Sequence, residues 1–186
     1  MPRHKTLSDD EVLETAHRLI REHGPDALTF ARMSDACGLS PSTLVQRFKT
    51  RAGLLQSALL RAWDGLDEKT ARLSATLPRT PEGAVTLLVA LSGDYGGIEN
   101  YADGLLVLRE DLRDPLLRAR GVAWKRELST ALDCCFAETP NAPDGIGMLL
   151  ASQWQGSLLW WGFDPQGAVE AYVEESLRQF VAASLR

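Results

Sequence analysis

Apolar side chains recur along this chain at three- and four-residue intervals, and capping residues punctuate the runs. Ser8 with Glu11 makes an S-x-x-E capping box that opens a first helix, with Val12, Leu13, Ala16, Leu19 and Ile20 as its apolar stripe. His23-Gly24-Pro25 closes it. Thr29 predicts the cap of a short second helix that ends near Cys37, and Gly38 terminates it. Ser40 predicts a third cap, with Pro41 at the first helical position, where a missing N–H costs nothing. Thr50 caps a long fourth helix over residues 51–75, with Leu54, Leu55, Leu59, Trp63 and Leu66 on one side. Pro78 and Pro81 bracket a linker before a fifth helix over 81–91. The Gly-rich stretch 92–97 interrupts the pattern, and a sixth helix covers 98–112. Asp114-Pro115 starts a seventh that reaches about Ala137, and 139–143 is a loop. Asp144 starts an eighth helix to Gly162, and Asp164-Pro165 starts a ninth to the C-terminus. Strand-like alternation bounded by hairpin turns is absent. The pattern predicts an all-α chain of about nine helices, with three short ones in front and a bundle of longer ones behind.

Composition narrows this picture. A chain of 186 residues holds one good-sized domain, or a small module and a larger one. The net charge of -5 argues against a chain that coats nucleic acid, but binding responds to local potential. Residues 1–55 carry eight Lys/Arg against seven Asp/Glu, while 56–186 carry twelve against eighteen. Between residues 39 and 51 there are three cations, Arg47, Lys49 and Arg51, and no acid. That shift places a functional boundary near residue 55, dividing the chain into 1–55 and 56–186. The N-terminus lacks the apolar core of a secretory signal, and no apolar run approaches the roughly 20 residues of a membrane span. Three cysteines do not make a disulfide framework, so a reduced, cytoplasmic setting is expected.

The short third helix has the most pointed pattern. Two short helices joined by a tight Gly-containing turn make a helix-turn-helix. Leu44 and Phe48 share one face and anchor it, which leaves Ser42, Thr43, Val45, Gln46 and Arg47 facing outward or to the flanks. Gln can pair with adenine and Arg with guanine in the major groove, and Ser and Thr can bond phosphates or base edges. By spacing alone, a solvated helix face would read much the same.

The stretch Thr29-Phe30-Ala31-Arg32-Met33-Ser34-Asp35-Ala36-Cys37-Gly38-Leu39-Ser40-Pro41-Ser42-Thr43-Leu44, followed by Phe48 and Arg51-Ala52-Gly53-Leu54-Leu55, strongly resembles the TetR family of transcriptional regulators. The likeness is motif-deep over about residues 8 to 60 and general beyond. It implies that Thr29 and Arg32 approach phosphates and that residues 40–47 form the recognition helix and its turn. Lys49 joins this DNA-binding set. Arg51 matches a position usually held by a phosphate-binding Lys. Val45 departs from the pattern, because an aromatic that contacts the DNA backbone is common there; Val could instead touch a thymine methyl. Arg47 stands where His is common, and Ser34 replaces a usual Ala. Gly53 would weaken the first turn of the fourth helix by about 0.5–1 kcal/mol relative to Ala.

The resemblance also implies a C-terminal domain that dimerises and binds a small apolar or aromatic effector. The last two helices carry Leu150, Trp154, Leu158, Trp161, Val169, Val173, Leu177 and Phe180 at helical spacing, which suits a four-helix interface around a two-fold axis, or packing within the chain's own bundle. Trp63, Tyr95, Tyr101, Trp124 and Trp154, with Arg109, are candidate ligand contacts, although aromatics in a helical domain also serve as core. The expected function is a ligand-responsive homodimeric repressor of a roughly palindromic operator, with no cofactor, no metal and no membrane partner. Two other readings compete with it. An enzyme lacks support, because His4, His17 and His23 all lie in the first helix region without metal-ligand company. A redox-responsive regulator would use Cys37, Cys134 and Cys135; the last two, adjacent in a helix, would point about 100° apart and pair poorly.

Overall fold

The structure is a computed structural model, and it describes residues 7–93 and 96–186. Among the described residues it holds nine α-helices and a single-turn 3-10 helix, and no strand. The helices are α1 (Asp9–His23), α2 (Phe30–Cys37), α3 (Pro41–Phe48), α4 (Arg51–Thr76), α5 (Pro81–Ser92), α6 (Ile98–Arg113), α7 (Pro115–Cys134), α8 (Ile146–Phe163) and α9 (Val169–Ser184). The 3-10 turn Pro25–Ala27 lies between α1 and α2. Two compact units emerge, one of residues 1–65 with 103–120 and the other of 66–102 with 121–186. These units and the functional boundary expected at residue 55 are different divisions of the chain.

In the first unit the capping chemistry falls where the sequence places it. Ser8 Oγ accepts from the Glu11 N–H (3.2 Å) while the Ser8 N–H donates to Glu11 Oε2 (2.8 Å). Thr29 and Ser40 accept from the N–H groups of Arg32 and Thr43, and Thr50 Oγ1 accepts from Gly53. Gly38 ends α2 in the left-handed conformation at φ 75°. The core is Val12, Ala16, Ile20, Leu28, Met33, Leu44, Leu54, Ala58 and Leu59, with Leu117 from α7. Gly53 is not the weak point expected of it, because an added Cβ would lie 2.5 Å from the Phe48 carbonyl oxygen. A glycine is what permits the tight α3–α4 corner.

Trp63 Nε1 donates to Asp111 Oδ1 (3.1 Å), and Gln56 Nε2 donates to Asp114 Oδ2 (2.6 Å), tying α4 to the end of α6 and the start of α7. Burial pushes the Asp111 carboxyl up to about 6; the Trp63 bond opposes this, and the charges of Asp114 and Glu110 add to it. A carboxyl raised in the folded state holds its proton more tightly than in the unfolded chain. Its contribution to stability is therefore full at low pH and is lost as pH rises from about 4 to about 6. Asp111→Asn keeps an acceptor for Trp63 and removes the titration. Urea midpoints taken across that window should fall with pH in the parent protein and stay flatter in the variant. Equal slopes would show that Asp111 is not the source.

The second unit is built on Leu87, Leu88, Leu91, Leu128, Leu132, Leu150, Trp154, Leu158, Trp161, Val169, Val173 and Leu177, with α9 packed on α8 and α5. Gly147 lets α8 press on α7, since a Cβ there would sit 2.2 Å from the Ser129 carbonyl oxygen. Three boundaries differ from the sequence expectation. α7 stops at Cys134 and not near Ala137. Asp144 does not open α8; Gly145 stands at the cap with φ 70°, and Asp133 of α7 accepts from the Gly147 N–H at 2.7 Å. The cap comes from another helix, so local spacing carries no trace of it. α9 starts at Val169, because no side chain at Asp164 or Pro165 caps it; the N-cap is Ala168.

Candidate nucleic-acid interface

α2, the turn 38–40 and α3 form the helix-turn-helix. Leu44 is fully buried and Phe48 half-buried, so α3 is held down by the residues expected to anchor it. Pro41, Ser42, Val45 and Gln46 are exposed, and Thr43 is half-buried. Val45 is 43% exposed, an unusual apolar presence on an otherwise polar face. Ser40 Oγ, besides capping, lies 2.8 Å from Ser42 Oγ and 2.9 Å from Thr43 Oγ1. The three hydroxyls form one small cluster at the N-terminus of α3, where the helix dipole and N–H groups favour an anion such as a phosphate. Thr29, which caps α2, and Arg32 in its first turn are exposed as well.

The cations behave differently from the expectation. Arg47 is not outward-facing. Its Nη1 donates to the Leu7 carbonyl (2.7 Å) and to Asp9 Oδ1 (3.1 Å), and its side chain is 22% exposed. The last turn of α3 aims it at the start of α1, where a carbonyl and a carboxylate satisfy the guanidinium. Arg51 is also engaged, although its side chain stays 43% exposed: it donates through Nε to the Leu28 carbonyl (2.8 Å) and through Nη2 to the Pro25 carbonyl (2.7 Å), with Asp26 at 3.3 Å. The acid-free run 39–51 therefore does not give three unpaired charges, because Asp9 and Asp26 come to meet two of them. Lys49 remains exposed, with its ammonium on the Gln46 carbonyl (2.7 Å) and its backbone at φ 65°, so it also caps α3. Arg51→Ala removes the donor from two carbonyls. It should lower stability by about 1–3 kcal/mol in urea unfolding without DNA. An unchanged midpoint would show that Arg51 does not brace this corner.

The other predicted residues fall elsewhere. Leu150, Trp154, Leu158, Trp161, Val169, Val173 and Leu177 are buried in their own unit, and Phe180 packs at its edge. They are core and are not available as an interface. The opposite face of α8 is the exposed apolar one: Met148, Leu149, Leu159, Trp160 (66%) and Phe163 (75%), joined by Tyr172 of α9. The signal for it lay in the sequence, because α8 is apolar on both sides and a single core covers only one. Among the ligand candidates, Trp154 Nε1 donates to Ser92 Oγ (2.8 Å) and Trp124 Nε1 to Thr70 Oγ1 (3.0 Å). Tyr101 sets its ring edge-on to Trp161 at 6.1 Å. Trp63 binds Asp111, and Arg109 is exposed beside Glu110. Tyr95 lies outside the described residues. Each of these tryptophans, and Tyr101, packs or bonds within its own unit. A crevice of about 160 Å³ occurs in the second unit, lined by Leu77, Arg79, Gly83, Leu87, Cys134 and Cys135 among others, and among the described residues none of the ligand candidates lines it. Among the described residues, no three His, Cys, Asp or Glu side chains gather to hold a metal, and no helix is long and apolar enough to cross a membrane.

Residues 12–58 match the model of bacterial regulatory proteins of the tetR family. Solved structures similar to the whole chain include a transcriptional regulator from Rhodococcus sp. Rha1, 15% identical, with 96% of each chain covered and a TM-score of 0.77. A TetR-family regulator, PfmR from Thermus thermophilus, is 22% identical over 94% of this chain and 97% of its own, with a TM-score of 0.61. AibR, solved with isovaleryl coenzyme A and operator DNA, is 18% identical over 94% and 96%, with a TM-score of 0.62. At these identities the likeness is one of fold. Among curated proteins, none matches the chain.

Proposed function

We propose, of a chain that is a TetR-family DNA-binding transcriptional regulator by its helix-turn-helix domain, that it represses transcription from a roughly palindromic operator as a homodimer, in the cytoplasm, and lets go when a small apolar or aromatic molecule binds. Transcription factors of this family bind DNA and are not enzymes. Residues 1–55 read the DNA and 56–186 dimerise and take the effector. The observation that carries this reading is the α3 face: Leu44 is buried beneath it while Ser42, Val45 and Gln46 stand exposed above, behind a cap that presents three hydroxyls. The exposed apolar stripe of α8, with Tyr172 of α9, supports self-association better than the inward residues of the same helices. In such a dimer two α3 helices spaced about 34–36 Å apart reach successive major-groove faces. A ligand that prefers another spacing shifts the population away from the DNA-bound form. AibR, solved with isovaleryl coenzyme A and operator DNA, supports a fold that takes a small molecule as well as DNA.

Capture of fragmented genomic DNA by the purified protein, followed by sequencing, should recover an inverted repeat. Gln46→Ala should relax the preference at one base pair in each half-site, at a cost of about 1–3 kcal/mol there. Recovery of DNA without two-fold symmetry would overturn the dimeric reading, and an unchanged preference in the variant would remove Gln46 from the reading face.

A further inference from the structure

Cys134 is the last residue of α7 and Cys135 the first of the turn that follows, where its N–H donates to the Leu132 carbonyl (2.9 Å) and its Sγ lies 3.5 Å from the Ala131 carbonyl. Both line the same crevice, with Ser74, Leu77, Pro78, Arg79, Gly83, Leu87 and Ala131 as the other walls. Cys134 is exposed and Cys135 is 8% exposed, an open thiol beside a sheltered one. From this juxtaposition we infer that the two thiols form a chelating site for a trivalent organoarsenical, whose arsenic takes both sulfurs and whose organic group lies against the apolar walls.

The donor set selects the class. Soft sulfur ligands favour soft acceptors. A structural zinc site needs about four ligands, and no group of three His, Cys, Asp or Glu exists among the described residues. A monosubstituted trivalent arsenic needs only two sulfurs, because its third bond is already to carbon. Arg79 stands in the wall close enough for its charge to act on the Cys135 sulfur, and a fixed cation there works against a dication and not against a neutral arsenical. Burial, with Cys134 adding, pushes the Cys135 thiol up, against the pull of Arg79 and of the Thr80 N–H, so the sheltered sulfur keeps its proton at rest. The reaction suits that state. With phenylarsine oxide, two S–H bonds and the arsenic–oxygen bonds break, two arsenic–sulfur bonds form, and the protons leave with the oxygen as one water. Arsenic stays trivalent and no oxidant or reductant takes part. Leu77, Pro78, Leu87 and Ala131 give the phenyl ring an apolar surface to cover.

The test uses the full-length protein and phenylarsine oxide, and it needs no DNA. Intact-mass spectrometry should show one phenylarsenic group per chain. The adduct should persist in excess 2-mercaptoethanol and be removed by 2,3-dimercaptopropanol. Cys134→Ser and Cys135→Ser should each reduce adduct retention in monothiol at least about tenfold, the loss of a chelate partner by mass action, while Cys37→Ser leaves it intact. Should burial make Cys135→Ser fold poorly, the exposed Cys134→Ser alone still decides. Retention in Cys134→Ser, or stripping of the parent adduct by monothiol, overturns the chelate. Displacement of the arsenical by equimolar cadmium chloride would overturn its selectivity for a neutral acceptor.

Discussion

Trp160→Glu combined with Phe163→Glu should leave the protein folded and monomeric, and should weaken operator binding by at least about a thousandfold. Both rings are largely exposed, at 66% and 75%, with their centroids 5.9 Å apart. Replacing them takes little from the core of their own unit. In a dimer formed across α8, however, two carboxylates per chain would be carried into an apolar contact without partners, which costs several kcal/mol per buried charge. A lone helix-turn-helix then holds one half-site, and affinity drops toward the non-specific level, which commonly lies about 10³-fold or more below specific binding. Sedimentation equilibrium gives the mass, and fluorescence anisotropy with the captured operator gives the affinity. A variant that remains dimeric would mean the two-fold axis lies on another surface. A contrasting variant on the inward face, Leu158→Glu, should unfold the second unit, since Leu158 is fully buried there.

That contrast explains what was legible in the sequence and what was not. The caps were legible because they are local: Ser8, Thr29, Ser40 and Thr50 act on N–H groups three residues away, within one turn. The α8 cap was not, since its acceptor, Asp133, comes from the preceding helix. The face of α8 was ambiguous for another reason. Leu150, Trp154, Leu158 and Trp161 share one stripe, and Leu149, Leu159, Trp160 and Phe163 share the other, and both are apolar. Periodicity says that a helix has two faces to cover; it does not say which one meets its own bundle.

On α3, the anchor and the exposed positions were legible from i, i+4 spacing. The fate of the arginines was not. A count of charges along residues 39–51 treats them as a basic patch, yet Asp9 and Asp26 reach Arg47 and Arg51 from 38 and 25 residues away. Those pairs are partly exposed and individually weak. Their guanidinium groups also hold the carbonyls of Leu7, Leu28 and Pro25, which ties the end of α3 to the start of α1 and the start of α4 to the turn before α2. In the proposed reading, sequence-specific contact rests on Ser42, Thr43, Val45 and Gln46, and phosphate contact on the exposed Thr29, Arg32 and Lys49.

Gly147→Ala should be the most damaging methyl addition in the second unit. The added Cβ would fall 2.2 Å from the Ser129 carbonyl oxygen and 2.8 Å from both the backbone nitrogen and the carboxylate of Asp133. The first two obstacles are backbone of α7, which cannot rotate away as a side chain can. Moving α8 outward to make room would lengthen the 2.7 Å bond from the Gly147 N–H to Asp133, which supplies the missing cap of that helix. It would also loosen the seat of Leu150 and Trp154 one and two turns on, both buried. Overpacking of this kind costs about 1–3 kcal/mol, and the lost cap about 1 more. Gly104→Ala in α6 meets nothing within 4 Å and should instead stabilise by about 0.5–1 kcal/mol, since alanine is the better helix former. Urea midpoints of the two variants should therefore move in opposite directions from the parent protein. A Gly147→Ala midpoint at or above that of the parent would mean that α7 and α8 do not approach as closely as the 2.2 Å contact requires.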